Sequence, residues 1–251
     1  MFIDTHCHLS IEDYDDIPSV IENNRNNKIS YMIISGCTRE TIVESLSLAD
    51  TYSDVFVTIG YHPSEASKTT EEDLLLLEEQ IKHSSVVGIG EIGLDYHYGK
   101  EDMDLQKKLF RRQLQLASTY HLPVVIHSRD AVEDTIHILK EFPEVKGDIH
   151  CFSGSLEVAK IYLSLGYLLG IGGVVTFKNS HLFQVVKEIG LSHIVLETDA
   201  PYLAPEPFRG QKNSSCRIPV IAKKIADILE ISIEEVAYET TKNAKNLFDL
   251  D

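Results

Sequence analysis

The sequence predicts a (β/α)8 barrel of the TIM type. Three observations carry that expectation. Eight short apolar, β-branched runs alternate with segments of helical character. The chain has 251 residues, the usual size of one such barrel. Histidines and acids recur at the C-terminal ends of the runs, the face on which barrels of this type carry their functional groups.

The predicted strands cover residues 2–8, 31–35, 55–60, 86–91, 124–127, 147–150, 167–171 and 194–198. In the first, His6 and His8 are two apart, so a strand aims both imidazoles one way and turns Cys7 outward, to pack under the helices. Glu91 ends the fourth run, after Val86-Val87-Gly88-Ile89-Gly90; His127 ends the fifth and His150 the sixth. Asp199 follows the eighth, Ile194-Val195-Leu196-Glu197-Thr198. Alternation aims Glu197 into the barrel beneath Asp199, to hydrogen-bond a histidine, and Asp4 stands in the same relation to His6; for both buried acids a structural hydrogen bond is the equal alternative. Between strands the clearest helix is 101–120, where Leu105, Leu109, Phe110, Leu114 and Ala117 share a face. Ser232, three residues before Glu235 and flanked by Ile231 and Val236, starts a last helix that closes the barrel. The longest irregular stretch, 200–217, holds Pro201, Pro205, Pro207 and Gly210, and loops of that length are often functional. An open doubly wound sheet would fit the same alternation, but His6-Cys7-His8 stands where its glycine-rich turn belongs.

Composition bounds the rest. Apolar residues at 43% and charged residues at 25% give enough apolar surface for a packed core, read as a single domain over 1–251. No stretch approaches the roughly 18 consecutive apolar residues of a membrane span, and no basic region precedes an apolar run at the N-terminus. The expectation is a cytoplasmic protein with no membrane contact, monomeric and without an obligate protein partner. Cys7, Cys37, Cys151 and Cys216 form no Cys-x-x-Cys pair, so reduced thiols are expected rather than a zinc knuckle or a disulfide framework. A formal charge of −16 argues against an extended nucleic-acid-binding face.

Four imidazoles (His6, His8, His127, His150) and two carboxylates (Glu91, Asp199) delivered to one rim could hold two divalent cations if one carboxylate bridges them. One histidine at a strand end reads as a structural hydrogen-bonding residue; six ligand-type groups at five strand ends read as a metal site. His83, His121 and His137 lie in or beside helical segments, where surface or helix-dipole roles suffice. The mixed N and O set suits Zn²⁺, Mn²⁺, Co²⁺ or Fe²⁺, whereas Mg²⁺ prefers oxygen.

Six blocks stand in order along the chain: Phe2-Ile3-Asp4-Thr5-His6-Cys7-His8-Leu9, Gly60-Tyr61-His62-Pro63, Gly90-Glu91-Ile92-Gly93-Leu94-Asp95-Tyr96, Ile126-His127-Ser128-Arg129-Asp130-Ala131, His150-Cys151-Phe152-Ser153-Gly154 and Leu196-Glu197-Thr198-Asp199-Ala200-Pro201-Tyr202-Leu203. With them the sequence resembles the TatD family of metal-dependent deoxyribonucleases over essentially its whole length. The resemblance implies one cation on His6, His8, Glu91 and Asp199 and a second on Glu91, His127 and His150, with Glu91 as the bridge. It implies two divalent ions (Mg, Mn or Zn) and a family usually described as magnesium-dependent. It also implies that His62 reaches the substrate phosphate, although before Pro63 a histidine can equally stabilise a turn. One departure stands out: the family follows its late Arg-Gly with a basic pair and Asn-Glu-Pro, and here the run is Arg209-Gly210-Gln211-Lys212-Asn213-Ser214-Ser215.

The chemistry expected is phosphodiester hydrolysis by a water activated between two cations, with Asp199 accepting its proton and His62 contacting a non-bridging oxygen. DNA is the expected substrate, as single strands or ends, in the manner of a 3′–5′ exonuclease. Arg129 and Lys178 are the best candidates for phosphate contacts because both lie in loops on the active face, the alternative for each being a plain surface charge. Tyr96 and Tyr202, beside Glu91 and Asp199, could stack on a base or simply pack on the core. The alternatives are an amidohydrolase-type enzyme acting on a small lactone, amide or phosphoester, a hydrolase of aminoacyl-tRNA esters, and a metal-binding scaffold without turnover. Many amidohydrolases use a carboxylated lysine after the fourth strand; here Glu91 holds that position and the next lysine is Lys100.

Overall fold

Period-2 patterning in the sequence becomes a closed sheet in space. The computed structural model describes residues 1–97, 99 and 101–251; Lys100 lies outside the described residues. Eight parallel strands, β1 Phe2–Cys7, β2 Ile29–Gly36, β3 Val55–Ile59, β4 Val86–Asp95, β5 Val124–Arg129, β6 Gly147–Ile149, β7 Leu168–Ile171 and β8 Ile194–Leu196, lie in sequential order. The helices are α1 Ile17–Asn26, α2 Arg39–Thr51, α3 Glu71–Gln80, α4 Met103–Tyr120, α5 Val132–Leu139, α6 Leu156–Ser164, α7 Leu182–Ile189, α8 Ile218–Leu229 and α9 Ile233–Phe248. The ends of the sheet meet through a parallel bridge between Cys7 and Ala200, where the His8 amide donates to the Ala200 carbonyl at 2.6 Å. The architecture is therefore the (β/α)8 barrel and not the open doubly wound sheet.

Local chemistry starts and stops the helices where it should. Thr38 and Thr70 form capping boxes with Thr41 and Asp73 at the heads of α2 and α3, and Ser232 accepts the Glu235 amide at the head of α9. His121 ends α4 in the left-handed conformation, with φ 55°. Most of the apolar core lies between strands and helices and includes Cys7, which points outward as its alternation requires. A smaller cluster joins Ile3, Ile33, Val125 and Val195 to Phe248 and Leu250. Side chains from β1 and β5, on opposite sides of an eight-stranded barrel, can meet only inside it, so this cluster plugs the interior with help from the end of α9. Helix α9 also packs on both β1 and β8, across the closing seam. Among the described residues no helix is long and apolar enough to cross a membrane, and all four cysteines are free.

Two strands depart from the simple alternation. The register of β1 against β2 shifts between Asp4 and Cys7. This turns the Asp4 carboxylate to the seam and away from the His6 ring. It accepts the Thr198 amide at 3.0 Å, the Thr198 hydroxyl at 2.6 Å and the His6 amide at 3.3 Å. Burial pushes its carboxyl up to about 7, against the lowering effect of those donors. The second departure is β4, which does not end at Glu91: pairing with β5 continues from Ile92 opposite Ile126 to Asp95 opposite Arg129. Gly93 permits this, with φ 145° and a position at which an added Cβ would stand 2.0 Å from the His127 carbonyl oxygen. Gly93→Ala is expected to cost roughly 3 kcal/mol or more, read as a fall in Tm of about 6–12 °C; a Tm within about 2 °C of the parent would show that the β4–β5 contact yields.

Candidate metal centre

Glu91 sits near the axis of the barrel mouth, 4% exposed, and each of its two oxygens faces a different group of histidines. Oε2 lies 3.6 Å from His6 Nε2 and 3.8 Å from His8 Nε2. Oε1 lies 2.6 Å from His127 Nδ1 and 3.3 Å from His150 Nε2. Asp199, three residues past β8, brings Oδ1 to 3.6 Å from both His6 Nε2 and His8 Nε2, which are themselves 3.3 Å apart. All six residues expected to converge do so. Two donors about 2.1 Å from one tetrahedral ion stand about 3.4 Å apart, which is the spacing found around Glu91 Oε2. The donor atoms of His6, His8 and Glu91, and those of Glu91, His127 and His150, each lie within 4.8 Å of one another.

The outer nitrogens decide which way the lone pairs point. His8 Nδ1 faces the Ser35 carbonyl at 3.2 Å, an atom that can only accept, so Nδ1 carries the proton and Nε2 turns a lone pair inward. His150 does the same, with Nδ1 donating to Glu197 Oε2 at 3.3 Å while Glu197 Oε1 accepts the Cys151 amide at 2.7 Å. His127 donates from Nε2 to Asp95 Oδ2 at 3.1 Å and turns Nδ1 toward Glu91. His6 Nδ1 meets the hydroxyl of Ser35, 3.0 Å away. Lone pairs aimed at a carboxylate repel it unless positive charge lies between them, and this donor set fits a divalent cation for that reason.

Titration behaviour reports the same imbalance. Burial would raise Glu91, but the imidazoles of His150, His127 and His6 hold its carboxyl well below the usual range. Burial would lower His150, yet Glu197 and Glu91 push it up to about 10. Burial likewise opposes charge on His127 and His8, and neighbouring acids, Glu91 and Asp95 for the first and Asp199 for the second, outweigh it and raise both. His6, fully buried and beside His150, is held well below its ordinary value. The acids draw protons onto three imidazoles, and a metal ion would supply that positive charge instead.

Comparison with known proteins places the barrel among relatives. The family model described as TatD related DNase matches residues 3–249. The chain belongs to the TatD family. It is 44% identical over 255 residues to a Bacillus subtilis protein named uncharacterized metal-dependent hydrolase YabD, covering 100% of both. The solved structure of YjjV, a TatD homologue from Escherichia coli K12, matches it with TM-score 0.92 and 29% identity over 100% of this chain and 98% of that one. A TatD family hydrolase from Entamoeba histolytica matches with TM-score 0.88 and 25% identity, again over 100% and 98%.

In this TatD barrel His62 does two things at once. Its Nδ1 accepts the Ser64 amide at 3.1 Å and so caps the 3-10 turn Pro63–Glu65. Its proton therefore resides on Nε2, which points toward Glu91 Oε1 at 3.9 Å. Of the other expected residues, Arg129 and Tyr202 line the cleft, and the Tyr202 ring lies 6.1 Å from that of His8. Lys178 is exposed and outside the residues lining the cleft. Tyr96 packs on the core and donates to Asp134 at 2.8 Å, also outside the lining. The divergent loop is pinned by buried Asn213, whose amide donates to the carbonyls of Thr198 and Tyr202. Ser214 and the Cys216 amide bond Asn24 of α1, and Gln211 accepts from Arg217, so these departures from the family pattern act on how the loop is anchored.

Two site residues escaped the sequence reading. Asp95 shares the face of β4 with Glu91 and orients His127; carrying the alternation Glu91, Gly93, Asp95 past the acid would have found it. Cys37, just beyond β2, lies with its thiol 3.7 Å from Glu91 Oε2, and its position at a strand end was the available signal.

Burial lowers His62 to about 4. The unfolded chain protonates this residue near 6.5 and the fold resists until about 4, so its neutral form favours folding fully above 6.5 and that contribution is lost as pH falls between the two. Metal-free parent protein is therefore expected to lose about 3 kcal/mol more than His62→Gln between pH 7 and pH 4 in urea unfolding; parallel pH profiles would contradict the assignment.

Proposed function

We propose that this chain is a metal-dependent phosphodiesterase, a deoxyribonuclease acting on single strands or ends. One observation carries the reading: a single buried carboxylate, Glu91, with each oxygen facing its own histidine group. His6, His8, Glu91 and Asp199 would hold one divalent cation, and Glu91, His127 and His150 a second. Membership of a family whose model is described as TatD related DNase, and relatives named metal-dependent hydrolases, support the same reaction class.

When bound, two divalent cations lower the pKa of a water and offset the charge that grows on the phosphoryl oxygens. The chain does the rest. Asp199, beside His6 and His8 and open to the cleft, accepts the proton of the attacking water at Oδ1 or Oδ2. His62, neutral through burial, donates its Nε2 proton to a non-bridging oxygen of the scissile phosphate. Arg129 pairs with a neighbouring phosphate, and Tyr202 offers its ring to a base. Asp95 and Glu197 fix the rings of His127 and His150 with their inner nitrogens toward Glu91.

End-labelled single- and double-stranded DNA with Mg²⁺ or Mn²⁺ tests the reading. The expected product is a ladder shortened from one end, with Glu91→Gln slower by about a thousandfold or more and normally folded by circular dichroism. Turnover of lactones, amides or an aminoacyl-tRNA ester with intact oligonucleotides would overturn it. Asp95→Asn is expected to weaken divalent-ion binding about 10–100-fold, measured by competition with a chromophoric chelator; unaltered affinity would leave Asp95 a purely structural residue.

A further inference from the structure

We infer that the cleft is built for substrates with few phosphates, dinucleotides and short oligonucleotides, and discriminates against long nucleic-acid chains. The inference rests on the phosphodiesterase reading above and deepens it by naming the substrate class.

Size is the first observation. The cleft at the barrel mouth has a volume of about 910 Å³, the scale of a pocket for a small-molecule ligand and room for roughly one or two nucleotides. Its charge is the second. Arg129, at the end of β5, is the one Lys or Arg among the described residues that line it. On the opposite side Glu12, Asp13 and Glu44 form an acidic wall, drawn from the loop after β1 and from α2. The first two open the run Glu12-Asp13-Tyr14-Asp15-Asp16. Parts of this wall are fixed in place, since Asp13 accepts the Ser10 hydroxyl at 2.8 Å and Glu44 accepts the Ile11 amide at 2.6 Å.

A polymer gains affinity from each phosphate that releases counterions to a protein cation. With one such cation in the cleft, lengthening the substrate adds almost no attraction. It does add repulsion wherever phosphates running past the wall lie within the screening length of its carboxylates, about 8–10 Å at moderate salt. The formal charge of −16 extends the same repulsion outward. A terminal base is still welcome: Tyr202, 58% exposed, and Leu203, 40% exposed, stand on the rim and provide stacking surface that does not depend on charge.

Rates on 5′-labelled oligothymidylates of 2, 5, 10 and 30 nucleotides, with Mn²⁺ and either 50 or 200 mM salt, test the inference. The expected kcat/KM is highest for the two shortest substrates and about tenfold or more lower for the 30-mer. Raising the salt should change the 30-mer rate by no more than about threefold, as befits a single phosphate contact. Combining Glu12→Gln, Asp13→Asn and Glu44→Gln should shrink the ratio between short and long substrates several-fold. A kcat/KM that climbs with length, a hundredfold loss across the salt step, or an unchanged ratio in the triple variant would overturn the inference and leave the phosphodiesterase reading standing. No hydrolysis at any length would instead remove that reading and the inference with it.

Discussion

A carboxylate that must be shared governs this structure. Glu91 is buried where an ionised acid costs several kcal/mol unless it is paired, and its partners come from β1, β5 and β6, strands far apart in the chain. Each partner is held from behind by an atom that settles its tautomer: the Ser35 carbonyl for His8, Asp95 for His127, Glu197 for His150. The centre is thus poised at a net deficit of positive charge, with the imidazoles already turned to supply electron pairs. Folding creates that deficit and cation binding would relieve it, so the stability of the barrel mouth and its chemistry cannot be tuned independently.

The backbone makes room for this arrangement by small residues rather than by loops. Gly93 lets β4 run on beside β5 past Glu91, and Gly170 leaves the space into which the Glu197 side chain reaches, since an added Cβ there would lie 2.4 Å from Glu197 Oε2. Below, the apolar plug that includes Val195 and Phe248 separates the site from the other mouth of the barrel. The active face is left to carry the polar groups, and the bottom face to carry packing.

The barrel and the six converging residues were legible because two simple rules suffice for them: strands alternate in and out, and β/α barrels gather their chemistry at strand C-termini. Where the reading failed, the missing information was the pairing of one strand with the next. Ending the fourth strand at its acid hid Asp95, although β4 runs on until Asp95 stands opposite Arg129. For Asp4 the structural alternative is the one found, because β1 shifts register after it, a slip that no local pattern marks. Lys178 was placed on the active face by loop position alone, and loop position does not fix where a side chain goes; of the two readings open for Tyr96, packing on the core is the one found, with Asp134 holding its hydroxyl. His62 illustrates a different limit, since one ring nitrogen caps the turn while the other faces Glu91, so forming the turn does not compete with a place at the site.

The first and last strands of the barrel are joined, among the described residues, by one bridge and by the hydrogen bonds that converge on Asp4, His6 and Ala200, in place of a full ladder. Of the eight joints, this one has the shortest backbone ladder. His6 and His8 ride on the first strand and Asp199 on the segment that extends the last, so an ion gripped by all three would act as a rivet through the joint. Loading would then tighten the whole cylinder along that joint, and leaching the ion would let amide protons there exchange before those of β4 or β5.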